Sequence, residues 1–238
     1  MKTYPRYHRQ TILAEIGQQG QKLLEKTTIS IIGLGALGTV SAELLLRSGA
    51  TNLTLIDNDT IEETNLQRQL LFQESDLKKN KAIAAKKHLL KINKKAKITA
   101  LTKRLNDNNL KILKKSHLIL DCTDNLETRF LINDFCKQHH LPWIYASAIK
   151  TYGYVLPILP DGPCLRCFLK NSPIETCSTS GVINTITTSI AALQITQAIK
   201  IITKKLTESK LYYYNIYSPE LKIITIHKNK NCPICKTD

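Results

Sequence analysis

Thr27-Thr28-Ile29-Ser30-Ile31-Ile32 runs without a break into Gly33-Leu34-Gly35-Ala36-Leu37-Gly38. The first six residues are rich in β-branched side chains and read as a short buried strand. The next six carry glycine at the first, third and sixth places. Residues 40–47 then have helical character and stop before Gly49, a helix terminator. Strand, G-x-G-x-x-G turn and helix in that order make a phosphate loop. The glycines permit a tight turn and a close approach of backbone to phosphate, and the helix N-terminus offers unpaired N–H groups and partial positive charge. Residues 52–57 read as a second strand. Asp57 ends it, nineteen residues after Gly38, where a carboxylate meets ribose hydroxyls. The competing reading of Gly33, Gly35 and Gly38 is a purely structural turn.

The same alternation continues outward. An amphipathic stretch over residues 12–24 precedes the first strand. Residues 81–92 read as a helix, residues 98–101, 117–120 and 143–146 as strands, and residues 130–139 as a helix between the last two. Strands alternating with helices predict a parallel sheet covered on both faces. After about Gly153 the pattern changes. Residues 154–159, 211–217 and 221–227 read as strands with no helix between neighbours, and one long helix over about 185–202 interrupts them. The expected architecture is a Rossmann-like, mainly parallel α/β sheet with an antiparallel C-terminal extension, in a single domain over residues 1–238.

Two polar segments set this chain apart from a dinucleotide oxidoreductase, which the glycine loop and Asp57 alone would suggest. Asn65-Leu66-Gln67-Arg68-Gln69 suits a triphosphate, because arginine grips phosphate oxygens bidentately and amides orient them. A surface loop with capping amides is the alternative. Asp121-Cys122-Thr123-Asp124-Asn125 closes the fourth parallel strand, on the same rim as the glycine loop. A carboxylate there can hold Mg²⁺ against phosphates. The alternative is a helix cap.

Composition limits the function classes. The chain has 238 residues, of which 42% are hydrophobic and 22% charged, ordinary globular values that exclude intrinsic disorder. Residues 183–202 carry Asn184, Gln194, Gln197 and Lys200 and read as too polar to span a bilayer. The first ten residues lack the apolar run of a signal peptide. Neither a membrane nor nucleic acid is expected as partner, and a cytoplasmic location is expected. The formal charge of +15 comes mostly from lysine, with only seven arginines. No aromatic residues interleave with the lysine runs as a single-strand binding platform requires. A solvated lysine-rich face or an anionic partner both fit. A zinc-stabilised nucleic-acid binder stays a distinct class, testable by salt-dependent retention on DNA.

Seven cysteines, an odd number with no leader sequence, argue against a disulfide framework and for a reducing compartment. Cys164-Leu165-Arg166-Cys167 and Cys232-Pro233-Ile234-Cys235 are two C-x-x-C pairs. Together they supply four thiolates for a closed, tetrahedral, structural zinc site that would pin the C-terminal segment. A redox pair is the alternative. Cys122 and Cys136 fit core positions. Cys177 is either a nucleophile or a buried thiol, and sequence leaves both open.

In chain order, Arg6-Tyr7-His8-Arg9-Gln10, the glycine loop, residues 65–69, residues 121–125 and the paired C-x-x-C motifs resemble the ThiF/MoeB/HesA family, bacterial relatives of the ubiquitin-activating enzymes. The match runs from about Tyr7 to Cys235. The resemblance implies ATP-dependent adenylation of the C-terminal glycine of a small ubiquitin-like sulfur-carrier protein. A ThiS-type carrier of thiamine thiazole synthesis is favoured over a MoaD-type carrier of molybdopterin synthesis. It implies that Asp57 binds ribose, that Asn65, Arg68 and Lys81 bind phosphates, and that Asp124 holds Mg²⁺. Asp59, Gln69 and Asn125 complete the nucleotide-binding set. Arg9 would reach into a neighbouring subunit's site, which implies a homodimer. Cys177 matches a cysteine that thiazole-pathway members use for a persulfide link. No rhodanese-like segment is recognised, so a separate sulfurtransferase is expected. Departures are Ala36, where the family often has glycine, and Tyr154, where it often has glutamine. The remaining alternatives are an NAD-dependent oxidoreductase and a non-catalytic carrier-binding homologue.

Overall fold

A computed structural model describes residues 5–169 and 180–235. Cys177, with its possible covalent role, lies outside the described residues. In chain order the described elements are α1 (His8–Thr11), α2 (Gly17–Lys26), β1 (Thr28–Ile32), α3 (Ala36–Arg47), β2 (Asn52–Ile56), α4 (Lys81–Ile92), β3 (Lys97–Leu101), β4 (Leu118–Asp121), α5 (Leu126–Gln138), β5 (Trp143–Ile149), β6 (Tyr152–Ile158), α6 (Leu165–Phe168), α7 (Asn184–Ile202), β7 (Lys210–Asn215) and β8 (Glu220–Thr225). The strands form one sheet in the order β3-β2-β1-β4-β5-β6-β7-β8. Pairing is parallel from β3 through β5 and antiparallel from β5 through β8. The parallel sheet and the antiparallel extension are both as the sequence pattern predicts.

Side-chain alternation along each central strand divides the core in two. Ile29, Ile31, Leu53, Leu55, Leu118, Leu120 and Ile144 point to the face covered by α3, α4 and α7. Ile32, Ile56, Ile119, Trp143 and Tyr145 point to the opposite face, covered by Ile132, Phe135 and Cys136 of α5. Strands buried on both sides are nearly all apolar, as β1 and β4 are, and the buried polar exception in β1, Ser30, shares a 2.6 Å hydrogen bond with the Ser116 hydroxyl.

Several boundaries shift, each for a local reason. α3 begins at Ala36, four residues earlier than the periodicity indicates, with Gly35 at its N-cap. α5 begins at Leu126 rather than residue 130, because the Asn125 side chain accepts from Thr128 N at 2.9 Å and caps the first turn. The stretch at residues 12–24 is not one helix: Ile12 and Leu13 are exposed in a turn, and Gly17, at a φ of +61°, opens α2. β6 starts at Tyr152 and β5 runs to Ile149, so the two close a hairpin. β7 and β8 stop at Asn215 and Thr225, two residues short of expectation, after which Tyr217 turns fully outward.

α7 is the element that ties the two halves together. By length and composition it could cross a membrane, against the sequence reading, but in this chain it packs on α3, β5 and β6. Its polar core position explains the fit. Gln194, fully buried, donates from Nε2 to the carbonyls of Asp121 (3.0 Å) and Ile144 (3.2 Å), and its Oε1 accepts from Ser41 Oγ at 2.9 Å. Every polar atom of this amide is satisfied, which is the condition for burying one. The consequence is that the C-terminal end of β4, where the site lies, is fixed to α7.

Candidate active site

The strand order reverses between β1 and β4, and a crevice opens there at the C-terminal edge of a doubly wound sheet. In this chain it is a cavity of about 1140 Å³. That exceeds the roughly 300–1,000 Å³ of an ordinary small-molecule site, so it has room for a nucleotide and part of a second substrate.

The glycine loop forms one wall. Gly33 sits at a φ of +84°, and a Cβ on it would lie 2.6 Å from the Cys122 carbonyl oxygen. Only glycine satisfies both conditions. Gly35 differs: a Cβ there would meet nothing nearer than Gln69 Nε2 at 3.8 Å, so its face is an open cradle towards the cavity. α3 starts immediately after it with no side-chain cap, leaving the first-turn N–H groups for an anion. Gly38 lies outside the cavity lining, which corrects the expectation that all three glycines face phosphate. A Cβ on Gly38 would fall 1.9 Å from the Gly33 carbonyl oxygen, so its function is to let α3 press against the loop. Gly38→Ala is expected to destabilise the protein by about 2 kcal/mol or more through overpacking. For a chain of this size that is roughly 4–8 °C in Tm, read by thermal unfolding.

Acidic and basic groups from β2, the following loop and α4 converge opposite the glycines. The Asp57 carboxylate accepts from Leu34 N at 2.6 Å and from Asp59 N at 2.8 Å, so it braces the glycine loop from behind. Burial pushes its pKa up, while those two N–H groups and Lys81 pull the other way. Lys81 opens α4 behind its Asn80 cap. Its side chain is only 9% exposed, and Nζ lies 3.1 Å from Asp59 Oδ2, which is 59% exposed. Asn65 is held by an amide–backbone exchange, with Glu62 N donating to its Oδ1 at 3.2 Å, and Arg68 donates from Nη1 to the Thr64 carbonyl at 2.8 Å. Gln69 is buried with Oε1 lacking any partner, an acceptor that a donor on a bound molecule would satisfy.

The third wall is the β4–α5 turn. Asp124 is exposed and lines the cavity; Asn125 lines it too, and its Oδ1 serves as the α5 cap. The segment therefore combines both sequence readings. An exposed carboxylate on this wall suits Mg²⁺, which takes one or two protein carboxylates plus phosphate oxygens. Beneath the turn lies a pair that sequence reasoning missed. Asp121, fully buried, faces Arg129 at 3.3 Å and accepts from Thr123 N (2.9 Å) and Oγ1 (2.7 Å). Burial pushes the Asp121 carboxyl up, against the pull of Arg129 and Thr123. Arg129 also donates to the Thr123 carbonyl at 2.6 Å and lies 5.0 Å over the Tyr145 ring. The available signal was its place in the first buried turn of a helix capped by Asn125.

Of the residues singled out by sequence, Gly33, Gly35, Asp57, Asp59, Asn65, Arg68, Gln69, Lys81, Asp124 and Asn125 line this one cavity. Arg9 does not. It is exposed on α1, which is held by Gln10 Nε2 donating to Gln21 Oε1 (2.7 Å) and to the Ser48 carbonyl (2.9 Å). Lys103, Arg104 and Leu105, from the loop after β3, also line the cavity and carried no sequence signal.

The two C-x-x-C pairs meet on the other side of α5. All four Sγ atoms of Cys164, Cys167, Cys232 and Cys235 lie within 4.8 Å of one another. Cys164 Sγ is 3.6 Å from that of Cys232 and 4.0 Å from that of Cys167. A tetrahedron with Zn–S bonds of about 2.3 Å has S···S edges of about 3.8 Å, so the cluster fits zinc. Cys167 and Cys232 also accept from the Asn229 and Cys235 backbone N–H groups, each at 3.4 Å. Such outer contacts orient thiolate ligands.

Comparison with known proteins agrees with this geometry. The ThiF family model matches residues 7–234. The sulfur carrier protein ThiS adenylyltransferase of Bacillus subtilis is 37% identical, covering 98% of this chain and 71% of that protein. The Escherichia coli protein of the same name is 33% identical, covering 98% of this chain and 96% of its own. A crystal structure of E. coli MccB superposes with a TM-score of 0.87 at 24% identity, over 100% of this chain and 74% of that one, a likeness of fold. With adenylyltransferases as its named relatives and the family pattern running through nearly every described element, the chain belongs to the ThiF family.

Proposed function

We propose that the chain is an ATP-dependent adenylyltransferase that activates the C-terminal carboxylate of a ThiS-type sulfur-carrier protein. The observation that carries this reading is the convergence of ten sequence-selected residues on one cavity with room for two substrates. The two ThiS adenylyltransferase relatives, matched over 98% of the chain, support the carrier type.

In the reaction, a carrier carboxylate oxygen forms a bond to the α-phosphorus of ATP. The bridging oxygen to the β-phosphorus departs with its electron pair as pyrophosphate, leaving an acyl-adenylate. No general base is required, because a C-terminal carboxylate is already ionised at neutral pH. This chain's contribution is placement and charge. Gly35 and the α3 N-terminus receive phosphate oxygens, while Asp57 holds the loop in shape and presents its remaining lone pairs to ribose. Lys81 and Arg68 balance the charge that accumulates on the departing pyrophosphate. Asp124 is the residue that would hold Mg²⁺, which supplies charge neutralisation on the phosphates when bound.

Arg9 lies outside the cavity of its own chain, so its family role requires a second copy. Arg9→Ala and Asp124→Ala homo-oligomers are each expected to lose ATP–pyrophosphate exchange. Mixing them should restore activity to about a quarter of wild type, the share of active sites that random pairing leaves intact. No recovery on mixing would remove Arg9 from the site. Carrier type is tested by exchange with a ThiS-type and a MoaD-type carrier in parallel: a higher kcat/KM for the ThiS-type is expected, and the reverse order would assign the MoaD-type.

A further inference from the structure

The connection from β2 to α4, residues 57–80, brings Asp57, Asp59, Asn65, Arg68 and Gln69 to the cavity. Its own regular structure is limited to two short 3₁₀ turns, Glu63–Asn65 and Glu74–Asp76. A connection of this length is uncommon in a compact domain and must be fastened if it is to hold side chains in place. Its two ends are fastened to each other. Ile61 N donates to the Lys79 carbonyl, Lys78 N to the Ile61 carbonyl and Lys81 N to the Asp59 carbonyl, each at 2.9 Å. The middle, with Arg68 and Gln69, is held separately.

Two contacts hold it, and both lead to α4. Leu71 and Phe72 are buried with Ala82, Ala85 and Leu89 of that helix in one apolar cluster. Asp76 is only 3% exposed. Its Oδ2 accepts from Gln73 N at 3.2 Å and lies 2.5 Å from His88 Nε2, while its Oδ1 accepts from the exposed Lys79 ammonium at 3.3 Å. Burial pushes the Asp76 carboxyl up, but the bonds from His88 and Gln73 outweigh it and hold the group below its ordinary value. Asp76 is therefore an anion at neutral pH. A carboxylate only accepts, so His88 Nε2 carries the proton between them.

His88 follows Lys81 by seven residues, two helical turns and about 10 Å, so both buried side chains leave α4 on the same face. Neither His88 nor Asp76 lines the cavity. Backbone bonds from Phe72 N to the Gln69 carbonyl (3.1 Å) and from Gln69 N to the Asn65 carbonyl (2.9 Å) carry the constraint from the buried half of the loop to its cavity half. Lys79 reaches the same carboxylate from solvent, where an ion pair contributes little. Loss of the buried donor leaves an ionised carboxylate without its partner, which costs far more.

We propose that His88 is a positioning residue for adenylation: through Asp76 it locks the loop that carries Arg68 and Gln69 to the helix that carries Lys81, so that the groups meeting the departing pyrophosphate keep one spacing. The inference rests on the adenylation reading and adds to it a residue outside the cavity.

The test compares His88→Leu with His88→Gln, whose amide nitrogen reaches the place of Nε2. Calorimetry with ATP counts the competent sites, and ATP–pyrophosphate exchange with a ThiS-type carrier is measured per competent site, well below the Tm of each variant. For His88→Leu, kcat per site is expected to fall at least about tenfold, within the roughly 100-fold that a 1 Å misplacement costs, whereas His88→Gln should stay within about threefold of wild type. A pair that serves stability alone would lower the number of competent sites and leave kcat per site unchanged in His88→Leu, and that result would overturn the proposal. Should the leucine variant not fold, wild type carries the test. Coupling is reciprocal, so if His88 sets the phosphate-facing groups, bound ATP acts back on His88. Saturating ATP and Mg²⁺ are expected to shift the His88 ring resonance, identified by its loss in His88→Gln, and an unmoved resonance would overturn the proposal as well. Absence of exchange by wild type with every carrier would instead overturn the adenylation reading, and this inference with it.

Discussion

Replacing Lys81 by alanine is expected to lower kcat for ATP–pyrophosphate exchange by about 10²–10³-fold, the loss typical of removing one preorganised group that meets developing charge. The side chain is nearly buried, lines the cavity and is aimed by the first turn of α4, which Asn80 caps through a 3.2 Å bond from Ile83 N. Its ammonium is already in place before the phosphates arrive, so no reorganisation is required during the reaction. Removing it has a second effect. Asp57 and Asp59 both border the site, and Lys81 is the cation that offsets them. Without it two carboxylates face a polyanion, so ATP binding is expected to weaken together with turnover. Lys79→Ala provides the contrast. That side chain is 50% exposed, pairs with Asp76 and is absent from the cavity lining, so kcat should stay within about twofold of wild type. Steady-state exchange rates for the two variants, with circular dichroism to verify folding, check the pair of expectations.

The second large effect concerns the cysteine cluster. Cys232→Ser is expected to abolish stoichiometric zinc binding and to destabilise the protein by about 3 kcal/mol or more, because metal-binding free energy is folding free energy in such sites. At this chain length that corresponds to roughly 6–12 °C in Tm. The reason is geometric. Cys164 is the N-cap of α6 and Cys167 lies within it, and α6 is tied to α5 by Leu165 N donating to Asn133 Oδ1 at 2.7 Å and by the bidentate Arg166–Asp134 pair, with bonds of 2.8 and 2.7 Å. Among the described residues, Cys232 and Cys235 meet that platform through their sulfurs, with Ile234 packed against the cluster. Burial pushes the Cys164 and Cys235 thiols up, whereas at Cys232 the push of burial is outweighed by the Cys235 and Ile234 N–H groups, which hold that thiol below its ordinary value. Metal analysis of the purified protein and calorimetric Tm with and without a chelator check this. An unchanged Tm in Cys232→Ser would mean that the clip carries no stability.

Much of the site was legible because its residues are bound to local geometry. Gly33 must adopt a left-handed φ, Asn125 caps a helix, and Asp57 directly follows a parallel strand; each leaves a short-range signature. The cysteine pairs were legible for the same reason, since a C-x-x-C turn is local and two of them satisfy one tetrahedral ion. What escaped depends on long-range registry. Arg129 matters because it faces Asp121 across a turn, and the Tyr152–Tyr154–Tyr213 ring cluster forms only through the β6–β7 ladder. Gln194 reads in sequence as one polar interruption in an apolar helix, yet it joins α7 to the ends of β4 and β5. The role of Gly38 was misassigned because the motif names three glycines alike, whereas the backbone gives each a different neighbour. Element ends moved where caps and hairpin closure outweighed periodicity, at α3, α5 and β5–β6.

The central claim is that this cavity joins a carrier carboxylate to the α-phosphate of ATP. The most direct measurement is the intact mass of a ThiS-type carrier after incubation with the protein, ATP and Mg²⁺, with the released phosphates identified in the same mixture. The expected result is a carrier heavier by one AMP less water, at its C-terminal glycine, with pyrophosphate released in equal amount. An unmodified carrier, or ADP and inorganic phosphate in place of AMP and pyrophosphate, would contradict it.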